Sequence, residues 1–231
     1  DLKFKTGFLI GSGFGVAGAL DNTAIKDGNG LVFIPGQSLK GVIRTACEKI
    51  SEIKGWKTYS RAIAEINDVA VEGKDVDERK NFSYVTQIFG SPFIPPLFHF
   101  GSVYLKPGDD TEADLLRQRG IWPEGHNSIN PATRTALKDH YYSHEVSMPT
   151  ENPGALPGWS FRFTITTLLA GIDTELFKKL AGLLFCGIRF ADRLGAKKRR
   201  GKGVVELCPE MPYEGSDLKE WIGIIFGAGG A

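Results

Sequence analysis

Cysteine is scarce in this chain: the three present, Cys47, Cys186 and Cys208, are odd in number, widely separated and form no CxxC pair. That disfavours both a disulfide framework and a zinc site, and it points to a reducing cytoplasm. Long apolar runs are lacking too. No stretch approaches the ~18 apolar residues that a membrane helix needs, and Asp1-Leu2-Lys3-Phe4-Lys5 alternates where a signal peptide would have an apolar core, so no membrane partner is expected. Net charge is nearly absent, at +1. Spread evenly, so little charge would argue against a nucleic-acid partner, but the charges are segregated. Acidic residues crowd Glu65 to Glu78 and Asp109 to Asp114, whereas Lys197 to Lys202 carries positive charge only.

What is present is ordinary for a globular protein: 42% apolar and 24% charged residues, which fits neither a disordered nor a collagen-like class. No internal repeat or low-complexity linker interrupts the chain, so residues 1–231 read as one elaborated domain with insertions at about 54–82 and 106–145. Period-two alternation predicts a strand over residues 2–10. The glycine-rich stretch from Gly11 to Gly30 carries turn signals at Asp21-Asn22-Thr23 and Asp27-Gly28-Asn29-Gly30. It predicts a long shaped loop, closed by a short extended piece from Leu31 to Ile34. Loops of that length are usually functional.

From Ser38, read as the N-cap, the apolar positions Leu39, Val42, Ile43, Ala46, Cys47 and Ile50 predict a helix. Short helices are expected within residues 54–82, a strand pair around Leu97 to Leu105, and a projecting hairpin over Asn127 to His144. Trp159, Phe161, Phe163 and Ile165 alternate with polar neighbours, as in one strand with a single core face. Thr174 to Phe190 reads as an amphipathic helix burying Leu176, Phe177, Leu180, Leu183, Leu184 and Ile188, and Val204 to Leu207 as a last strand. This order is that of an α+β protein with a ferredoxin-like (RRM-like) βαββαβ core, insertions and a projecting thumb hairpin.

Two separated stretches carry the chemistry. Ile34-Pro35-Gly36-Gln37-Ser38-Leu39-Lys40-Gly41, followed by Arg44, is a turn that launches a helix. Lys40 and Arg44 stand four apart on the face opposite the apolar stripe, in opening turns where backbone N–H groups already favour anions. Gly195-Ala196-Lys197-Lys198-Arg199-Arg200-Gly201-Lys202-Gly203 places five cations among its nine residues. Its flanking glycines let backbone N–H groups approach phosphate while the side chains neutralise it. The loop is no Walker A motif, because five residues separate Gly195 from Gly201 and Gly203 follows Lys202.

Gly13-Phe14-Gly15-Val16-Ala17-Gly18 matches GxGxxG, but no helix opens at its third glycine, so these glycines are read as hugging another backbone rather than a dinucleotide. His140 and His144 stand at i and i+4 beside Glu145, a metal-ligand spacing on a helix, yet no third ligand accompanies them. His99 and His126 are isolated and read as packing or surface residues. Asp21 and Asp27 each admit two readings: a carboxylate acting as general base or metal ligand at a bound backbone, or an Asx-turn within its own loop.

Taken in order along the chain, these segments resemble the RAMP superfamily of CRISPR systems, and specifically the repeating backbone subunit of type III effector complexes. Ile34-Pro35-Gly36-Gln37-Ser38-Leu39-Lys40-Gly41-Val42-Ile43-Arg44 is close to IPGSSLKGxxR, with Gln37 in place of Ser. Ile88-Phe89-Gly90-Ser91 is similar to the family's FG element. Ile129-Asn130-Pro131-Ala132-Thr133-Arg134-Thr135-Ala136, Glu145-Val146 and Pro157-Gly158-Trp159-Ser160-Phe161 resemble its thumb hairpin and the strand after it, with Pro131 where an Arg is common. Arg199-Arg200-Gly201-Lys202-Gly203 resembles its glycine-rich C-terminal loop.

The resemblance implies a fold that stacks with copies of itself and with other CRISPR effector subunits along a guide (CRISPR) RNA, the thumb kinking the guide and its complementary target RNA. It implies RNA contacts at Ser38, Lys40, Arg44 and Arg134, and at Lys197, Lys198, Arg199, Arg200, Gly201, Lys202 and Gly203. In the family's cleaving subunits a loop Asp in the pattern Gly-x-x-Asp-Asn cuts target RNA with a divalent metal. Gly18-Ala19-Leu20-Asp21-Asn22 occupies that place, which implies Asp21 as catalytic residue and metal ligand, with Mg2+ or another divalent metal as cofactor. The implied chemistry is attack of the target's own 2′-OH on the adjacent phosphate. Three alternatives stay open: a non-cleaving capping subunit, a guide-processing endoribonuclease using His140 or His144, and a single-strand RNA chaperone with exposed sheet aromatics.

Overall fold

The computed structural model describes residues 1–76, 78–105, 110, 114, 120–147, 160–167, 172–210 and 218–227. Among them are nine strands: β1 Leu2–Phe4, β2 Phe33–Ile34, β3 Phe98–Phe100, β4 Val103–Tyr104, β5 Ile121–Ile129, β6 Ala136–Ser147, β7 Ser160–Phe161, β8 Ile165–Thr167 and β9 Val205–Leu207. The helices described are α1 Gly36–Ile53, α2 Ala62–Val71, α3 Tyr84–Phe89, α4 Thr174–Phe190 and α5 Leu218–Phe226. Contacts divide the chain into two units, one of Asp1–Ser38, Ser102–Arg162 and Asp192–Glu206, the other of Leu39–Gly101, Phe163–Ala191 and Leu207–Ala231. Pro157, Gly158 and Trp159, and all but Asp110 and Asp114 of the acidic run from 109 to 114, lie outside the described residues.

In the first unit, Leu2 and Phe4 alternate with Lys3, and β1 buries both beneath a small sheet of order β7-β1-β9. The strand expected over residues 2–10 divides. The chain bends at Lys5 and Thr6, and Phe8 then exchanges two 2.8 Å backbone hydrogen bonds with Ser147 of β6. Phe8 stacks on Phe4, and Phe161 meets both edge-on, so this corner closes around aromatic rings. Residues 11–30 form the expected shaped loop, and β2 closes it against β4.

The second unit is built on α1 and α4. On α1 the apolar stripe is as the spacing predicts at Leu39, Ile43, Ala46, Cys47 and Ile50, with Val42 half-buried. On α4, Leu176 and Phe177 are half-buried and 180–188 are buried on every side, so that half of the helix is enclosed rather than amphipathic. A Cβ at Gly187 would lie 2.3 Å from Cys47 Sγ, so the two helices approach through a glycine. Burial, with Cys186 and Glu48 nearby, pushes the Cys47 thiol far up. Asp173 caps α4 by accepting from the Leu176 N–H at 2.9 Å. Within residues 54–82 the expected short helices are present as α2 and a 3₁₀ turn at Arg79–Asn81. Glu65 of α2 is buried and accepts from the Ser83 N–H and the Thr86 hydroxyl, which fixes the start of α3. Gly90 ends α3 at φ 76°, and a Cβ there would meet Pro96 N at 2.7 Å.

Three expectations are corrected. Ser38 is not the N-cap: α1 already begins at Gly36, whose N–H donates to Ser102 Oγ at 3.2 Å, while Ser38 N–H donates to Pro35 O. Proline's fixed φ starts the turn two residues early, and the capping oxygen comes from distant sequence. The strands near residues 97–105 do not pair with each other, for β3 pairs with β8 and β4 with β2. The single strand expected from Trp159 to Ile165 is two, with Phe161 opposite Leu2 and Ile165 opposite Phe100. Alternation records which side of a strand is buried but not which edge it joins, so a change of partner leaves no mark in the pattern. The described sheets are therefore small, and the chain is a mixed α/β protein. Among the described residues no helix is long and apolar enough to cross a membrane.

Candidate functional site

The hairpin expected over Asn127 to His144 is longer than its sequence signal, running from Ile121 to Ser147 as β5 and β6. Its outer part, residues 136–141, is exposed, and Arg134 sits near its tip at φ 56°. At its base the free edge of β6 is taken by Phe8 and by the glycine-rich loop. Asn22 pairs with His144 in parallel, the Glu145 N–H donates to Asn22 O, and the Ala24 N–H donates to Glu145 Oε2. Glu145 Oε1 pairs with Lys26 Nζ at 3.1 Å.

This edge positions Asp21. Its N–H donates to Ser143 O at 3.0 Å, and its Oδ2 accepts from the Ser143 N–H at 2.7 Å. The Ser143 hydroxyl in turn donates to Ala19 O at 2.8 Å. The approach depends on Gly15, where a Cβ would stand 2.4 Å from Leu20 O and 2.9 Å from Asp21 O. Of the three glycines of the GxGxxG match only Gly15 hugs backbone, that of its own loop; Gly13 and Gly18 border open space and instead take positive φ. Residues 15–21 with Tyr141 and Ser143 line an open cleft of about 440 Å³, and Asp21 is exposed in it. Asp27 behaves otherwise: its Oδ1 accepts from the N–H groups of Asn29 and Leu31, the Asx-turn reading.

Tyr141 and Ser143 face this cleft, so strand alternation turns Tyr142 and His144 to the opposite side. There the basic loop arrives. Lys197 Nζ lies 4.8 Å from the Tyr142 ring centroid and Arg200 Cζ 5.2 Å from it, both in cation–π contact. Lys202 Nζ binds Glu124 Oε1 of β5. Lys198, Arg199 and Arg200 form an exposed 3₁₀ turn between Lys197 and Gly201, both left-handed. The flanking glycines serve the fold first. A Cβ at Gly203 would sit 2.1 Å from Leu194 O, and one at Gly195 would sit 2.5 Å from Leu9 O. The Gly203 N–H is committed to Gly7 O and the Ala196 N–H to Leu9 O.

The helical spacing of His140 and His144 does not apply, because both lie on β6. His140 is exposed, with Nδ1 against Lys138 O, while His144 is 2% exposed. His126, read as isolated, stacks on His144 at 4.9 Å, and Glu124 Oε2 stands 3.4 Å from His126 Nε2 and 3.8 Å from His144 Nε2. His144 thus adjoins the loop bearing Asp21 through its bridge to Asn22, and reaches the basic loop only through Glu124, which Lys202 grips. Burial, then the charge of Lys197, keeps the His144 imidazole below its usual proton affinity. Burial works to raise the Glu124 carboxyl, but the hydrogen bond and charge of Lys202 outweigh it and hold that group low.

In the other unit, Lys40 and Arg44 share one side of α1, but not the face opposite the apolar stripe: both are half-buried flanking positions, and the exposed face carries Gly41, Thr45, Lys49 and Glu52. Burial and the neighbouring Arg44 lower the Lys40 ammonium. Arg44 Nε binds Glu48 at 3.0 Å, and its Nη1 donates to Gly90 O at 3.4 Å. Sequence reasoning missed Glu48, Glu124, Tyr142 and Ser143 as partners of the named residues.

No curated protein matches this chain. Among solved structures, it is similar in fold to a chain of the type III-B Cmr-beta complex bound to cognate target RNA, determined by cryo-electron microscopy, with TM-score 0.54, 13% identity and coverage of 89% of this chain and 94% of that one. A chain of the same assembly in its apo state gives TM-score 0.53 and 14% identity over 90% and 94%. The fold is shared well beyond the reach of sequence identity. The RAMP superfamily profile matches residues 1–206, from β1 through the basic loop to β9, and the chain belongs to the RAMP superfamily.

Proposed function

We propose that this chain is a backbone subunit of a type III CRISPR effector that stacks along a guide RNA and cleaves the paired target RNA at regular intervals. The observation that carries this reading is the base of the hairpin, with an exposed carboxylate clasped to the edge of β6 beside the cleft and a cationic loop against the face that carries Tyr142. The family membership and the likeness to chains of an RNA-bound type III-B assembly support it. The element order supports a ferredoxin-like core as part of the same reading, and a cytoplasmic setting goes with it.

In this reading the exposed Lys198, Arg199 and Arg200 meet phosphates, as do Arg134 near the hairpin tip and the half-buried Lys40 and Arg44 at the start of α1. Such contacts are blind to sequence and suit a protein whose specificity comes from base pairing in the guide. At the cleft, the Ser143 N–H holds Asp21 Oδ2 and so fixes the carboxylate, leaving Oδ1 for a ligand. A single exposed carboxylate beside an open cleft fits Mg2+ or another divalent metal, since such ions take one or two carboxylates together with phosphate oxygens and waters. Bound there, the metal would supply charge stabilisation at the phosphate. The reaction forms the O2′–P bond of the target as the P–O5′ bond breaks, leaving a cyclic phosphate and a 5′-hydroxyl. The proton lost from O2′ goes to a base at the cleft, and O5′ leaves with one from water. Kinking of the target by the hairpin brings O2′ into line with the departing oxygen, which a regular A-form helix does not.

A second reading, a non-cleaving structural subunit, is favoured by one observation: the Asp21 carboxylate already has structural work in holding Ser143. The complex assembled on a guide, given labelled complementary RNA and Mg2+ and run on a denaturing gel, separates the two. Regularly spaced cuts that vanish in Asp21→Ala and Asp21→Asn while RNA binding persists support the nuclease. Cutting unchanged in Asp21→Asn, or absent from the wild type with binding intact, makes the chain a structural subunit.

A further inference from the structure

The hairpin face away from Asp21 carries a second constellation that target cleavage does not use. Glu124 and His126 are two apart on β5 and so project to one side, and the register sets His144 directly opposite Glu124. The donor atoms of these three side chains all lie within 4.8 Å of one another. In a tetrahedral site with metal–ligand bonds near 2.0–2.1 Å, donor atoms stand about 3.4 Å apart. The 3.4 Å and 3.8 Å separations from Glu124 Oε2 to the two Nε2 atoms are already close to that spacing.

His144 is 2% exposed, yet among the described residues neither of its ring nitrogens has a hydrogen-bond partner, and His126 Nε2 meets only the Glu124 carboxylate, without hydrogen-bond geometry. Burying bare polar nitrogens is costly unless something binds them. Lys202 holds Glu124 Oε1 and so aims Oε2 at the imidazoles, while Tyr142 stacks on His126 with ring centroids 5.3 Å apart.

We infer that Glu124, His126 and His144 form a binding site for a transition-metal cation of the Zn2+ class, distinct from the Asp21 cleft. Two imidazoles select a borderline-soft cation over Mg2+ or Ca2+, which take oxygen ligands. Three protein ligands leave a fourth position for water or a phosphate oxygen. The cation would join β5 to β6, and because Lys202 grips the same Glu124 it would stand beside the point where the basic loop is anchored to the hairpin. This site shares no ligand with Asp21 and does not depend on the nuclease reading.

The full chain, stripped with a chelator and dialysed, is titrated with Co2+ as a spectroscopic probe and with Zn2+ by calorimetry. One equivalent per chain is expected, with the visible absorption of tetrahedral Co2+ that Zn2+ then displaces. His126→Gln and Glu124→Gln change partly exposed side chains and so avoid the folding risk of altering His144; each is expected to weaken binding at least about tenfold. Asp21→Ala is expected to bind the probe as the wild type does. No Co2+ band, binding unchanged in both His126→Gln and Glu124→Gln, or loss of binding in Asp21→Ala alone would overturn the assignment.

Discussion

Asp21 and Asp27 belong to one loop and looked alike in the sequence, but they do different things. Asp27 accepts from the N–H groups of Asn29 and Leu31, two and four residues on, so its carboxylate is spent inside its own turn. Asp21 reaches across 122 residues to the Ser143 N–H, and its own N–H returns to Ser143 O. The first carboxylate shapes a loop, and the second fastens a loop to the base of a hairpin beside a cleft. An identical side chain in neighbouring turns is therefore assigned by what lies across from it, and only a tertiary edge separates a turn former from a candidate base.

Breaking the Asp21 half of that contrast should produce the largest effect. Asp21→Ala and Asp21→Asn are each expected to slow target cleavage by roughly 10²–10⁴-fold, the range for loss of a positioned catalytic group, in a single-turnover assay. Asp27→Ala in the same assay should cut at the wild-type rate. Next comes Gly15→Ala, which touches neither carboxylate. Its Cβ would meet Leu20 O at 2.4 Å, so the backbone before Asp21 must shift. We expect about 100-fold slower cleavage, the cost of misplacing a reacting group by about an ångström, and a lower urea midpoint from a loss of about 1–3 kcal/mol. Asp27→Ala should lose about 1–2 kcal/mol in urea titration, from two hydrogen bonds to backbone. Ser143→Ala should be mildest. It removes the bond to Ala19 O, worth about 0.5–1.5 kcal/mol, but leaves the backbone N–H that holds Asp21, so cleavage should persist.

Much of the local structure was legible. The helices α1 and α4 follow from apolar spacing, and the shaped loop and the basic loop from glycine and charge, because those signals are carried by neighbours in sequence. Pairing across the hairpin was not. Near the tip Ile129 faces Ala136, and continuing that register would put His126 opposite Asp139. A register shift between Asn127 and Ile129, with Asp139 at φ 60°, moves His126 opposite Tyr142 and Glu124 opposite His144. No residue announces that irregularity, so helical spacing pairs His144 with His140 and leaves His126, its actual neighbour, isolated. The Ser38 cap failed similarly, since the capping hydroxyl came from Ser102, 66 residues away. Asp21 itself stood out through the family pattern Gly-x-x-Asp-Asn, whereas its bond to Ser143 required the fold.

Both ends of the basic loop are sewn to one short segment, the Gly203 N–H to Gly7 O and the Ala196 N–H to Leu9 O. The turn between them is held as well: its ring contacts with Tyr142 restrain Lys197 and Arg200, and Arg193 Nη1 donates to Lys198 O at 2.8 Å. Conformational freedom that a tethered cationic tail would surrender on meeting a polyanion has thus been given up during folding. Association with such a partner should then show a small entropic penalty, while retaining the full ionic-strength dependence of released counterions.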